Sequence, residues 1–108
     1  MGQVPTPLGH VTVQRQLRAV LAFTAARWML ERGDEKRAVQ QFGEALIEVP
    51  ELRPAMRMLY RIYGDRNDVR NAVTYLDQEI RATRHPREAA ALYRERGQLV
   101  ERYFRDLR

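Results

Sequence analysis

Apolar residues along this chain recur at steps of three and four from Val13 onward, and no segment alternates at period two. Ala38, Phe42, Ala45 and Leu46 form the clearest run, and that spacing places all four on one face of a helix. The pattern predicts an all-α chain of about five helices. The first covers residues 13–32 and stops at Gly33, and the second covers 35–49, capped by Asp34 and ended before Pro50. The third starts near Arg53, tolerates Pro54 in its first turn, and ends at Gly64. Asn67 or Asp68 caps the fourth, over 69–83, and the His85-Pro86 step separates it from the fifth, over 87–107. Residues 1–12, with Gly2, Pro5, Pro7 and Gly9, read as a flexible lead-in to a helical domain at 13–108. Short connections make successive helices antiparallel neighbours.

The order of these residues resembles the tetratricopeptide repeat. Gly33-Asp34 followed by Ala38, Phe42, Ala45, Leu46 and Pro50 is similar to the second half of that helical hairpin, whose unit is 34 residues long. A second unit over 53–86 places Leu59-Tyr60 and Tyr63 on its first helix, Asn67-Asp68 at the turn, and Ala72, Leu76 and Ile80 on its packing face. Ala38 and Ala72 stand one period apart. Leu92-Tyr93 and Gly97 look like the start of a third unit, offset by about three residues. There are departures. The first helix shows Ala22 and Ala25-Ala26 where the family has an aromatic residue and Gly, Glu79 stands where a small residue is usual, and the third unit has one helix only. The resemblance implies a right-handed superhelix of antiparallel hairpins, about two and a half repeats, acting as a non-catalytic binding scaffold.

Composition narrows the chemistry. A chain of 108 residues with 44% hydrophobic content has room for one domain with an ordinary core. Neither cysteine nor serine occurs, which removes disulfides, zinc–thiolate sites and thiol or serine nucleophiles. Lys36 is the only lysine among 19 basic residues, so the positive charge sits almost wholly on guanidinium groups, which suit bidentate recognition of carboxylate or phosphate. A formal charge of +5 points to an acidic partner. Arg15 and Arg18 precede the short apolar run 19–26, but Arg27 interrupts it; a buried helix is the better reading than a secretory signal, and a cytoplasmic location is expected. No stretch approaches the roughly 20 apolar residues of a membrane span.

Catalysis, a cofactor and a metal are not expected. His10 lies in the lead-in, His85 at a turn, and no spacing places two histidines on one helix face. Trp28, Phe42, Tyr60, Tyr63 and Tyr75 sit among apolar residues at helical spacing and are expected to pack between helices. Acidic residues mostly have Arg three or four positions away, as Glu101 has Arg105.

The first helix of each hairpin lines the concave surface in arrays of the resembled kind. That resemblance implies a ligand groove of Phe23, Arg27 and Leu30, then Arg57 and Arg61, then Arg94 and Gln98. With its guanidinium groups free of internal carboxylates, such a groove takes a protein or peptide segment bearing Asp, Glu, phosphate or a terminal carboxylate. Asp65 and Glu101 are the expected internal competitors. The Lys and Asn of the family's carboxylate clamp are absent here, so its tail ligands do not carry over. The last helix has no following partner, so Leu92, Val100, Tyr103, Phe104 and Leu107 form a candidate assembly surface, for self-association or a larger complex. Nucleic acid is disfavoured because acidic residues interleave with the arginines throughout.

Overall fold

A computed structural model describes residues 12–107. It contains five helices, α1 (Val13–Glu31), α2 (Glu35–Glu48), α3 (Arg53–Asp65), α4 (Val69–Ala82) and α5 (Pro86–Asp106), and no strand among the described residues. Each boundary falls within about two residues of the sequence expectation. The lead-in and His10 lie outside the described residues, apart from Thr12, whose hydroxyl caps α1 by accepting from the Arg15 N–H at 3.2 Å. No described helix is long and apolar enough to cross a membrane.

The 34-residue period is written into the turns. Gly33 (φ +82°) and Asn67 (φ +62°) each carry the chain through the left-handed region, which glycine enters freely and asparagine tolerates better than most residues. One residue later, Asp34 and Asp68 accept from the N–H of Arg37 and Asn71, each at 3.3 Å. The backbone bonds match as well. Asp34 donates to Met29 and Asp68 to Tyr63, both at 2.9 Å, and Gly33 donates to Leu30 and Asn67 to Gly64, both at 3.0 Å. Between Asn67 and Asp68, the capping role falls to Asp68.

The chain divides into two compact units, one ending at Ala55 and the other beginning at Met56. In the N-terminal unit the first turn of α1 meets the last turn of α2: Arg15 donates to the Ile47 carbonyl at 2.8 Å, and Arg15 and Arg18 both contact the Glu48 carboxylate. The two helices therefore run antiparallel. Phe23 meets Phe42 edge-on at 5.5 Å between ring centroids, and Ala26, Ala38, Phe42 and Ala45 are fully buried, with Ala19 close behind. Small Ala38 and Ala45 allow the close approach that Phe42 fills.

In the C-terminal unit Tyr63 stacks on Tyr75, 5.8 Å between centroids, while Leu76, Ile80 and Leu92 cluster with Tyr60 against them. Arg96 of α5 donates to Asp77 of α4 at 2.7 Å. Ala72 is as fully buried as Ala38. Replacing either alanine by leucine is expected to overpack its seam and cost about 1–3 kcal/mol, read from thermal or urea unfolding. Wild-type melting of both variants would show that these alanines do not sit at close contacts.

One packing expectation fails. Trp28 is 56% exposed, with the Arg32 guanidinium lying over its ring at 4.1 Å. The inner face of α1 is marked by Ala19 and Ala26, and a residue two positions past Ala26 lands on the opposite side of the helix. Phe42 is buried and Tyr60, Tyr63 and Tyr75 are half-buried, as packing residues should be.

Candidate functional site

The strongest polar constellation is centred on Arg57. It sits in α3 one turn after the Pro54 start, and its guanidinium reaches carboxylates on two other helices. One terminal nitrogen lies 2.8 Å from Glu79 Oε1 on α4, the other 2.7 Å from Glu95 Oε1 on α5. The Glu79 side chain is only 6% exposed, against 23% for Arg57 and 34% for Glu95. The same guanidinium stands 5.0 Å from the Tyr60 ring centroid. Burial alone would lower the Arg57 pKa, but the hydrogen bond and charge of Glu95 and the charge of Glu79 outweigh it and raise the value.

Tyr60 belongs to the same cluster. Its burial, and then the charge and hydrogen bond of Glu95, push its hydroxyl above the ordinary 10.0; burial and then Tyr63 do the same to Tyr75. A tyrosine whose folded pKa is raised holds its proton more tightly in the native state than in the unfolded chain. Its contribution is therefore complete below the unfolded pKa and is lost as pH rises through the folded one. Stability of the C-terminal unit is expected to decline from about pH 10 upward. Absorbance at the tyrosinate band, followed alongside helicity, should show part of the tyrosine ionising only as the helices melt. Complete ionisation with helicity retained would contradict the assigned burial.

This arrangement bears on one member of the expected groove. Arg57 is not a free ligand donor: its charge is already matched by two internal carboxylates, in a site that water reaches only in part. The competitors are Glu79 and Glu95, while Asp65 is exposed and Glu101 instead accepts from Arg105 at 3.0 Å. A signal for this was present in the sequence. Glu79 occupies the packing face one period after Ala45, and a carboxylate at such a position requires a cation from a neighbouring helix.

The other groove candidates are dispersed in character. Arg27, Arg61, Arg94 and Gln98 are exposed. Phe23 and Leu30 are half-buried, and Phe23 is engaged with Phe42. Gln98 lines an open cleft of about 370 Å³ with Tyr60, Glu95, Leu99, Arg102 and Arg105, and no other groove candidate contributes to it. The charges along that cleft are mixed, with Glu101 also at its edge.

On the candidate assembly surface, Leu92 is 6% exposed and belongs to the core with Leu76 and Ile80, so it is unavailable to a partner. Val100 is half-buried. Tyr103, Phe104 and Leu107 are exposed, with Tyr103 and Phe104 edge-on at 5.6 Å, and Tyr93 joins them at 60% exposure. Leu92 and Leu99 share one face of α5, and Tyr93 and Phe104 lie about 100–120° round the helix from it, whereas Tyr103 is in line with Leu92 and is exposed only because it stands near the helix end. Among the described residues no group of three or more His, Asp or Glu could hold a metal ion. No known protein family, curated protein or solved structure matches this chain.

Proposed function

We propose that the protein is a non-catalytic interaction module, built on tetratricopeptide-like antiparallel hairpins of a right-handed superhelix, that docks another protein through the C-terminal half of α5. The observation that carries this reading is the run 101–107, every residue of which is exposed although it includes Tyr103, Phe104 and Leu107. Large apolar side chains gathered at the end of a helix mark a contact surface more often than a solvated one. Support for the repeat comes from the paired turns at Gly33-Asp34 and Asn67-Asp68, with matching φ signs, caps and backbone bonds one period apart. The excess of arginine, with Arg102 and Arg105 beside the apolar residues, favours an acidic protein segment as that partner.

Arg57 is engaged by Glu79 and Glu95, so an acidic-ligand groove would rest chiefly on Arg27, Arg61 and Arg94. Affinity capture from a native lysate separates the two surfaces. Wild type is compared with a Phe104→Asp/Leu107→Asp variant and an Arg61→Glu/Arg94→Glu variant, each verified as folded by its helicity and melting. Partners lost only from the α5 variant support the proposal. Partners lost only from the arginine variant restore the groove in its place.

A further inference from the structure

We infer that the outer face of α1 is a self-docking surface, on which a second copy of this chain lays its own α1 antiparallel about a twofold axis. This concerns the N-terminal unit and stands independently of the α5 surface. Val13, Leu17, Val20, Leu21 and Trp28 are 64%, 59%, 56%, 69% and 56% exposed. At about 100° per residue, these five and Thr24 fall within one stripe of about 100°, centred opposite the buried Ala19 and Ala26 and ending at Glu31 in the last turn. α1 is therefore apolar on both sides, one covered by α2 and the other by nothing among the described residues. Five large apolar residues gathered in one exposed stripe, interrupted by Thr24 alone between Val13 and Trp28, point to a second packing partner.

The spacing of the stripe allows a second copy of the chain to be that partner. Its positions 13, 17, 20, 21, 24 and 28 read the same in both directions: Val13 mirrors Trp28, Leu17 mirrors Thr24, and Val20 mirrors Leu21. In an antiparallel twofold pair each residue therefore meets its mirror, and the largest side chain falls opposite a small one. A twofold interface demands this self-complementarity, because residue i contacts j and j contacts i. The flanking charges obey the same rule. Arg27 mirrors Gln14 and Arg18 mirrors Phe23, so no arginine of the stripe's border opposes another. Arg32, stacked on Trp28, holds that ring at the end of the stripe.

The area is sufficient for a weak specific dimer. Five large side chains each about 60% exposed amount to roughly 500–600 Å² per copy, on the order of 1,000 Å² for the pair, which is the lower end of specific interfaces. A dissociation constant on the order of 10 µM is expected.

Trp28 is the only tryptophan, so its emission reports on this face directly. The full chain is followed by sedimentation equilibrium and tryptophan fluorescence over a concentration series. Expected are a rise from monomer to dimer mass and a blue shift of emission with the same midpoint. Leu21→Arg and Val20→Glu should each raise the dissociation constant at least tenfold without changing helicity, since both side chains are exposed in the monomer. Mixing the two variants should restore association, because Glu at 20 of one copy then faces Arg at 21 of the other. A chain that stays monomeric at millimolar concentration overturns the inference. So does a dimer indifferent to Leu21→Arg but lost with Phe104→Asp, which assigns association to α5, or one that the mixed variants fail to restore.

Discussion

Replacing Arg57 by alanine is expected to destabilise the C-terminal unit by about 3 kcal/mol, the lower end for a broken buried pair because Arg57 and Glu95 keep some contact with water. The loss does not come from the attraction alone. Glu79 would remain, its carboxylate nearly inaccessible, with its 2.8 Å contact to the Arg57 guanidinium lost. A second substitution separates these causes. In the Arg57→Met/Glu79→Leu protein both charges disappear together, and most of the stability should return because an apolar pair of similar volume can replace a buried ion pair at little cost. Urea unfolding monitored by helicity reads all three proteins. If Arg57→Ala unfolds at the wild-type midpoint, the carboxylates have found other partners and the cluster contributes nothing to the fold.

Phe42→Ala should be the most damaging single change in the N-terminal unit, costing about 3–5 kcal/mol. The ring is fully buried, meets Phe23 edge-on, and lies between Ala38 and Ala45, which are too small to collapse into the space it leaves. Ile47, on the same helix, offers the control. It is 64% exposed, and Ile47→Ala should stay within about 0.5 kcal/mol of wild type. Equal effects at the two positions would mean that the inner face of α2 has been misassigned.

Most of the secondary structure was legible in the sequence because its punctuation is local. Gly33, Asp34, Asp68, Pro54 and Pro86 each act on the backbone within one turn of themselves, so their consequences can be read without knowing the tertiary fold. The inner face of α2 was legible for the same reason, since Ala38, Phe42 and Ala45 alternate with polar residues at helical steps. α1 resisted because it carries apolar residues on two opposite sides. Nothing in its spacing alone says whether Ala26 or Trp28 faces inward; that depends on how α1 packs on α2, where Ala26 is buried and Trp28 is exposed. The site was less legible still. That Arg57 is neutralised depends on Glu79 and Glu95 from two later helices, and the sequence offered exposed Asp65 as the nearer competitor by helix spacing. Leu92 was ambiguous in the same way, for its burial depends on Leu76 and Ile80 reaching it from α4.

The contacts that hold each unit share another property: they are short in sequence. Phe23 meets Phe42, Tyr63 meets Tyr75, and even the arginine bridge from α3 to α5 spans only 38 residues. Little loop entropy must be surrendered before such contacts form, and chains with this low contact order fold within microseconds to milliseconds. During synthesis at about 5–20 residues per second, each helix pair therefore has time to close before the next has left the ribosome. The outer face of α1 would then be presented on a folded hairpin while α3 to α5 are still being made.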